Sequence, residues 1–490
     1  MKNNVQLITY VDRLTGSDIG ALHSVLNTEF KDLFSGVHLL PFYFPIDGSD
    51  AGFDPIDHTL VDSRLGDWAD VKALGEQYEI MADLIVNHMS AQSAEFKDVL
   101  EKGSDSEFWD LFLTRERVFP NGMTVEHQEK IYRPRPGSCF SEFELNDGTK
   151  VDFWTTFTSN QLDIDVTSEA GQKYLTKVLS TFAQNKIKML RLDAAGYAIK
   201  KAGTNCFMLN ETFDFINQLT LDANALGMET LVEIHSYYQT QIEIAKRVDQ
   251  VYDFALPPLI LHSIFSQDTK ALAHWLTISP RNCITVLDTH DGIGIIDVGP
   301  MEGKSGLLTD EQINQLVEKI HLNTQGDSHK ATGAAASNVD LYQVNSTFYD
   351  ALAKDDYHYL LARAIQFFSP GMPQVYYGGL LSQVNDMELL DKTNVGRDIN
   401  RPYLEREQLA AQMSKPVTSA LVELIRIRNS SSAFQGEFFI AANSDCIEMR
   451  WVNNNDMANL TANLSSRNAK VEVTQGSKVQ VFELAKLLIV

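Results

Sequence analysis

Short apolar segments recur along this chain, and helical patterns separate them. The first three are VQLITY (residues 5–10), GVHLLP (36–41) and IMADLIVNH (80–88). Five more follow at residues 187–194, 230–235, 251–256, 283–290 and 374–378. Strands that alternate with helices form a parallel sheet, and eight of them predict a closed (β/α)8 TIM barrel of the α/β class. In such a barrel the reactive groups lie on the loops at the carboxyl ends of the strands.

Two long stretches interrupt this alternation. The first, residues 89–185, follows the third strand, and the second, residues 291–356, follows the seventh. A long excursion from a compact barrel is more often functional than idle. We therefore predict inserted subdomains at both places, with the barrel formed by residues 1–88, 186–290 and 357–430.

The last part of the chain, residues 431–490, has a different character. Segments such as CIEMRWV, MANLTANL and KVQVFELAKLLIV alternate apolar and polar residues, which is typical of strands with one buried face. We predict a small all-β C-terminal domain that contributes packing and stability.

The balance of charges limits the possible partners. Lys and Arg number 41 and Asp and Glu number 65, which gives a net charge of -24. A surface of this charge repels nucleic acid and anionic membranes. We predict small-molecule substrates, no nucleic-acid partner and no membrane partner, and a local cluster of donors wherever a phosphate binds.

The cysteines and the N-terminal segment indicate a cytoplasmic protein. Four cysteines lie far apart, without CxxC or metal-ligand spacing, and such a set favours reduced thiols. The segment MKNNVQLITYVDRL has too short an apolar run for a secretory signal, and no stretch reaches the roughly 18 apolar residues of a membrane helix.

The segment KMLRLDAAGY, residues 188–197, carries charge at the end of a buried strand. An apolar run followed by Arg191 and Asp193 is the pattern of a parallel strand that presents a charged side chain at its carboxyl end. Asp193 is then a candidate nucleophile. A structural ion pair between Arg191 and Asp193 is the alternative, and this stretch alone leaves both open.

Other polar residues fall at the ends of different strands and would meet at the same face of a barrel. They are Asp83, His88, Glu233, His290 and Asp291. Each histidine alone could be a core residue, and we expect Asp83 to support the loop after the third strand. Together, three carboxylates and two histidines suit cleavage of a glycosidic bond, in which one carboxylate attacks and a second carboxyl transfers protons.

Four segments resemble the signature regions of the α-amylase superfamily of glycoside hydrolases and transglycosylases. They are DLIVNH (83–88), RLDAAGY (191–197), EIH (233–235) and LDTHD (287–291). The resemblance implies that Asp193 is the nucleophile, Glu233 the general acid/base and Asp291 the transition-state stabiliser. It also implies that Arg191, His88 and His290 hold the nucleophile and the sugar.

Further segments resemble one group within that superfamily, the sucrose phosphorylases. They are DGSDAGFDPIDH (47–58), YRPRPG (132–137), ASNVDLYQVNSTFY (336–349), QVYYGG (374–379) and GRDINR (396–401). The resemblance implies reversible transfer of a glucosyl group from sucrose to inorganic phosphate through a covalent β-glucosyl-enzyme, which releases fructose and α-glucose 1-phosphate.

The same resemblance implies two groups of binding residues. The glucosyl group is expected against Asp50, Phe53, His88, Phe153, Arg191, His290 and Arg397, with Phe53 and Phe153 as apolar walls. Trp154 and Phe157 are expected in the core of the inserted subdomain. The fructose or phosphate site is expected to contain Pro134, Arg135, Tyr197, Phe207, His235, Asp340, Leu341, Tyr342 and Gln343. Arg135 would bind phosphate, although it could also be an exposed loop charge, and residues 340–343 would move between the half-reactions.

Several alternatives share the same three carboxylates. Sucrose 6′-phosphate, glucosylglycerol or glucosylglycerate could replace sucrose, water could replace phosphate in an α-glucoside hydrolase, and a non-catalytic barrel is a third class. The Asp-rich loop at residues 47–58 lacks the spacing and terminal Glu of a calcium loop. We expect no metal and no cofactor, and either a monomer or a homodimer.

Overall fold

Eight parallel strands close into a barrel in the computed structural model, which describes residues 2–133, 137–333, 338 and 341–489. The strands are β1 (Gln6–Thr9), β2 (Gly36–Leu39), β3 (Glu79–Ile85), β4 (Ile187–Asp193), β5 (Glu229–Val232), β6 (Gln250–Asp253), β7 (Cys283–Thr285) and β8 (Met372–Tyr376). Each strand pairs with its neighbours in chain order, and β8 pairs with β1 to close the barrel. The predicted (β/α)8 architecture is confirmed.

Strand β4 shows why these segments are nearly continuous apolar runs. Its sequence is IKMLRLD, and all its residues except Lys188 and the terminal Asp193 are buried. A strand inside a barrel faces the barrel interior on one side and the outer helices on the other, so both sides are apolar. Arg191 is the buried exception, and the register places it opposite Asp83 of β3.

A helix follows each strand on the outside of the barrel. The helices are α1 (Ile19–Asn27), α2 (Trp68–Leu74), α3 (Glu169–Gln184), α4 (Asn210–Ala225), α5 (Tyr238–Ala245), α6 (Leu256–Ser266), α7 (Asp356–Phe368) and α8 (Pro416–Ser430). In α3 the side chain of Ser168 caps the first turn, and Leu175, Val178 and Phe182 are buried on one face. This spacing is that of an amphipathic helix, so the sequence itself selects the face that packs on the barrel.

Two insertions lie at the carboxyl ends of the strands. The first includes four strands that form two antiparallel pairs, His88–Ser90 with Gln161–Asp163 and Phe140–Glu144 with Lys150–Trp154. It also includes the helices Ala94–Lys102, Arg115–Val118 and Val125–Lys130. In the second, Ile293–Gly294 and Gln343–Val344 form a two-stranded antiparallel sheet, the helices Asp310–Asn323 and Asp327–Thr332 lie between these strands, and the helix Phe348–Ala351 follows them. Three further helices, Tyr377–Leu380, Met387–Thr393 and Arg406–Met413, follow β8. The numerical domain boundaries given above stay a prediction.

The C-terminal residues form an antiparallel sheet of five strands in chain order. The strands are β9 (Glu437–Ala442), β10 (Cys446–Asn453), β11 (Asp456–Asn463), β12 (Asn468–Gln475) and β13 (Lys478–Glu483). The last apolar run is divided between β13 and a helical turn, Leu484–Leu487. Within the described part of the chain, no helix is both long and apolar enough to cross a membrane.

Two buried side chains attach the C-terminal sheet and α8 to the rest of the protein through hydrogen bonds. The Trp451 indole donates to the carbonyl of Phe368, at 2.7 Å. Arg428 of α8 is 2 % exposed and donates to the Phe367 carbonyl and to both oxygens of Asn3, at 2.8–3.1 Å. Its guanidinium also lies 3.9 Å from the ring centre of Phe434. The N-terminus, α7 and α8 therefore meet on one buried cation.

Replacing Arg428 by Ala should lower the free energy of unfolding by about 3 kcal/mol, because the buried carbonyl of Phe367 would lose a donor and the bonds to Asn3 and the packing on Phe434 would be lost. Arg426, on the same helix, has a side chain that is 58 % exposed, so Arg426→Ala is the matched control and should change stability by less than about 0.5 kcal/mol. Urea midpoints of the two variants measure the difference. Equal midpoints would contradict the structural role of Arg428.

Candidate active site

A buried arginine organises the carboxyl ends of the first strands. Arg191 donates through the same nitrogen to Asp83, at 2.6 Å, and to Asp193, at 2.7 Å. Asp83 also bonds Nε2 of His38, at 2.9 Å. Because β2, β3 and β4 are neighbours, these side chains form one row across the barrel. Burial opposes ionisation, but the charges of His38 and Arg191 hold the pKa of Asp83 at about 2.

Asp193 and Glu233 lie side by side at the ends of β4 and β5. The second guanidinium nitrogen of Arg191 is 4.0 Å from Glu233, and the amide of Ala194 donates to Glu233 at 3.3 Å. Ala194 has φ of 54°, a left-handed conformation that is unusual for alanine. Burial raises the pKa of Asp193 to about 8; Arg191 opposes this shift, and Glu233 and Asp83 add to it. One proton is therefore held readily in this group of carboxyls near neutral pH.

Asp291 has the opposite electrostatic environment. Arg397 lies 2.8 Å from its carboxylate, and Arg401 lies 3.7 Å away. Burial disfavours the charge, but these arginines hold the pKa of Asp291 far below its usual range. The same two arginines lie 3.4 Å from Asp50. Asp50 has φ of 51°, and left-handed backbone of this kind in a non-glycine residue is often found at functional sites.

The two predicted histidines are buried. His290 stacks on Phe53 with ring centres 4.8 Å apart, and its Nε2 lies 3.6 Å from Asp291. Burial lowers the pKa of His290 to about 3 and also lowers the pKa of His88. His88 Nε2 is 2.9 Å from the carbonyl of Phe53. Both rings are therefore placed by contacts with the loop after β2.

Most of the predicted residues line one cavity at the carboxyl end of the barrel. The predicted residues among its walls are Asp50, Phe53, His88, Asp193, Tyr197, Glu233, His290, Asp291, Tyr342 and Arg397. Arg191 does not line the cavity but is hydrogen-bonded to Asp193, which does. Carboxylates from three different strands thus share one enclosed space with aromatic walls.

The structure corrects one predicted wall. Phe153 is fully buried among Phe96, Phe112 and Phe143 in the core of the first insertion. Phe157, which we expected in that core, lines the cavity and packs against His88 and Tyr197. Phe153 belongs to the paired strand Lys150–Trp154, which buries its aromatic residues, whereas Phe157 follows that strand in a loop.

The predicted acceptor residues fall into three groups. Pro134, Arg135 and Asp340 lie outside the described residues. Tyr197 and Phe207 pack with ring centres 4.7 Å apart, and Phe207 stacks on Tyr132 at 4.5 Å. Leu341 is buried in the main core, while Tyr342 lines the cavity and Gln343 contacts His235. An aromatic row therefore extends from the cavity towards the first insertion.

Several residues of the site were not predicted. Gln161 lines the cavity, and Arg401 lies beside Asp50 and Asp291. Asp297 is fully buried and contacts His235 at 2.8 Å. Arg401 is the last residue of GRDINR, so the motif contained it, but no local pattern marks Gln161 or Asp297. The side chains of the latter two reach the site only through tertiary packing.

Comparison with known proteins identifies the family. The family model described as the alpha amylase catalytic domain matches residues 30–412. This chain belongs to the α-amylase family. A sucrose phosphorylase of Agrobacterium vitis is 56% identical over 96% of this chain and 97% of its own length. A sucrose phosphorylase of Bifidobacterium adolescentis is 51% identical over 94% of this chain and 92% of its own.

A solved structure agrees with this assignment to the α-amylase family. The crystal structure of sucrose 6F-phosphate phosphorylase from Thermoanaerobacter thermosaccharolyticum superposes with a TM-score of 0.91 and 36% identity. It covers 99% of this chain, which covers 98% of that one. The resemblance predicted from the sequence motifs is confirmed.

Replacing Asp83 by Asn should lower the free energy of unfolding by at least about 2 kcal/mol at pH 7, because its pKa falls from 3.8 to about 2 on folding. A depressed carboxyl pKa stabilises the fold above the unfolded value, and this stabilisation is lost as the pH falls from about 4 to about 2. The gap between wild-type and variant urea midpoints should therefore narrow at pH 3. The exposed Asp105 provides the control, since Asp105→Asn should behave like wild type at both pH values. A gap independent of pH would contradict the ion-pair origin of the stability.

Proposed function

We propose that this protein is a sucrose phosphorylase, which transfers a glucosyl group reversibly between sucrose and inorganic phosphate. The observation that carries the proposal is the meeting of Asp193, Glu233 and Asp291 on one cavity. Its high identity to sucrose phosphorylases over nearly the whole chain supports it further. The products in the forward direction are α-glucose 1-phosphate and fructose.

The reaction proceeds in two displacements. In the first, Asp193 attacks the anomeric carbon of the glucosyl group, and the bond to the fructosyl oxygen breaks as Glu233 donates a proton to that oxygen. This leaves a β-glucosyl ester on Asp193. In the second, an oxygen of phosphate attacks the same carbon, the ester bond breaks, and Glu233 serves as the base. Two inversions give net retention of the α configuration.

The electrostatics of the site match these roles. Arg191 orients Asp193 through a 2.7 Å hydrogen bond and limits its motion. Asp193 must be ionised to attack, so the proton that the crowded carboxyls around this single guanidinium retain has to lie on Glu233 when the bond to fructose breaks. Asp291 is kept ionised by Arg397 and Arg401, so a fixed negative charge faces the positive charge that develops on the sugar ring.

The glucosyl group is recognised by the inner half of the cavity. Phe53 and Phe157 offer apolar faces, and Asp50 with Arg397 offers charged groups for ring hydroxyls. Among the described residues, Nδ1 of His290 is buried without a hydrogen-bond partner. Because that atom has almost no accessible surface, His290 contributes to the cavity wall through the rest of its ring.

The nearest rival substrates differ in the leaving group. Sucrose 6′-phosphate would bring a phosphate dianion next to the carboxylates of Glu233 and Asp291. Arg397, a cationic residue of the cavity wall, is already engaged by Asp291 and Asp50. Unphosphorylated sucrose therefore fits the described walls better, and glucosylglycerol and glucosylglycerate rank behind it on identity.

We also propose that the protein acts in the cytoplasm, in agreement with its four free cysteines. We propose that it acts as a monomer or homodimer and needs no metal or cofactor.

Incubation of the purified protein with sucrose should give α-glucose 1-phosphate and fructose in equal amounts, at a rate that rises with phosphate concentration. Product analysis by chromatography, with and without phosphate and in parallel with sucrose 6′-phosphate, tests this. Asp193→Asn is the control and should reduce turnover by at least about 10³-fold, because no covalent intermediate can form. Equal rates of glucose and fructose release without phosphate would indicate a hydrolase instead.

Glu233→Gln should slow the use of sucrose far more than the use of α-glucosyl fluoride, since fluoride leaves without protonation. We expect a loss of at least about 10²-fold for sucrose and a much smaller loss for release of fluoride. Steady-state kcat/KM for the two donors measures the ratio. Equal losses for both would argue against an acid role for Glu233.

A further inference from the structure

Asp297, a buried carboxylate of the second insertion, contacts His235, one of the residues predicted for the acceptor site. Asp297 lies in the short helical turn Ile296–Val298 and is fully buried. Its Oδ2 is 2.8 Å from Nδ1 of His235. Its Oδ1 accepts from the amide of Ser236, at 3.2 Å, and from Nε2 of Gln241, at 2.7 Å. Both oxygens of the carboxylate are therefore used by donors.

The other ring nitrogen of His235 meets Gln343. Nε2 of His235 is 3.1 Å from Nε2 of Gln343, and Oε1 of Gln343 accepts from the amide of Gly292 at 3.3 Å. Because the Gly292 amide can only donate, the Gln343 oxygen must face it and the NH2 group must face His235. Nε2 of His235 then has to be the acceptor, and the proton of the neutral ring is on Nδ1.

Two glycines make this arrangement possible. A Cβ on Gly294 would lie 2.4 Å from Oδ2 of Asp297 and 3.1 Å from Nδ1 of His235. A Cβ on Gly292 would lie 2.6 Å from Oδ1 of Asn345 and 2.9 Å from the Val344 carbonyl. A side chain on Gly294 would therefore clash with the contact between Asp297 and His235, and one on Gly292 would clash with Val344 and Asn345, so both close approaches need glycine.

We infer that Asp297 is a positioning residue for the acceptor: it holds His235 as the Nδ1–H tautomer, so that Nε2 accepts from Gln343 and fixes the Gln343 side chain beside Asp291. The inference rests on the proposed function, because the acceptor is the fructose or phosphate of that reaction. A hydrogen bond to one ring nitrogen commonly decides the state of the other. Gln343, a polar side chain that suits a neutral sugar, thus depends on Asp297, a fully buried carboxylate that acts through His235.

The charge state of His235 follows from the groups around it. Burial opposes protonation, but Asp297, Glu233 and Asp291 raise the pKa of His235 above its ordinary value. The phenol of Tyr342 belongs to the facing loop, and the ring of Phe254 stacks on the imidazole at 3.8 Å. When the pH falls through the pKa of His235, Nε2 gains a proton and can no longer accept from Gln343. The KM for fructose should therefore rise on the acid side.

Asp297→Asn is the decisive variant because it is isosteric. The amide oxygen can keep both donors that now bond Oδ1, and the amide nitrogen then faces Nδ1 of His235 as a donor. This forces the ring proton onto Nε2, where it meets the NH2 group of Gln343. Asp253→Asn is the matched control: Asp253 is also buried, and it accepts from Trp275 and from the Leu256 amide rather than from His235.

The first measurement is the histidine ring 15N–1H spectrum at pH 8, with the His235 signals assigned by their absence in His235→Asn. Wild type and Asp253→Asn should show the Nδ1–H tautomer, and Asp297→Asn should show the Nε2–H tautomer. A retained Nδ1–H tautomer in Asp297→Asn would overturn the inference. This spectrum needs no enzymatic activity, so it stands apart from the proposed function.

The second measurement is kinetic. Asp297→Asn should raise the KM for fructose about tenfold in synthesis from α-glucose 1-phosphate, as expected for one lost positioning hydrogen bond, and should change hydrolysis of α-glucosyl fluoride by less than about threefold. Equal losses in both reactions, or an unchanged KM with an inverted tautomer, would overturn the positioning role. If wild type itself makes no product from these substrates, the proposed function has failed instead.

A second variant keeps the test valid if Asp297→Asn folds poorly. Gln343→Leu removes the donor to Nε2 and should raise the KM for fructose by a similar factor while the Nδ1–H tautomer remains. Because Asp297 acts through Gln343, the double variant should be no worse than either single variant. Additive losses in the double variant would overturn the inference.

Discussion

The site depends on one buried cation, the guanidinium of Arg191, which is only 2 % exposed. A charge in the centre of a barrel is tolerated only with close counter-ions, and Asp83 and Asp193 provide them at 2.6–2.7 Å. Glu233 is a third carboxyl within 4.0 Å of the same group. Three carboxyls thus surround one cation, and this group of carboxyls tends to retain one proton. The carboxyls that make the buried Arg191 tolerable are therefore also the ones that supply the proton for acid catalysis.

A second charge cluster keeps a carboxylate ionised in the same cavity. Arg397 and Arg401 lie between Asp50 and Asp291 and keep the latter ionised. The two arginines follow β8, while Asp50 belongs to the loop after β2, so the cluster also ties distant loops together. The crowded carboxyls around Arg191 share a proton, whereas Asp291 stays ionised, so carboxyl groups in one cavity have different charge states.

Sequence patterns revealed the barrel and the three carboxylates because both depend on local signals. Buried strands such as β4 are apolar runs, and polar residues at their ends must meet at one face of a barrel. The aromatic walls were harder, because Phe153 and Phe157 lie in the same aromatic run and only strand pairing decides which one is buried. Asp297 is not recognisable from its own segment, IGIIDVG. The role of Asp297 depends on its contact with His235, which lies 62 residues away in the chain.

The contributions of the barrel and of the insertions explain how one set of carboxylates could serve different acceptors. Asp193 and Glu233 are fixed by barrel strands, and Arg191 couples them to Asp83 in the core. Gln343 is instead fixed by the two-stranded sheet of the second insertion and by the state of His235. A change in that sheet or in Asp297 would alter the acceptor side while the ion pairs beneath the nucleophile stay intact. Acceptor choice is therefore physically separable from bond cleavage in this fold.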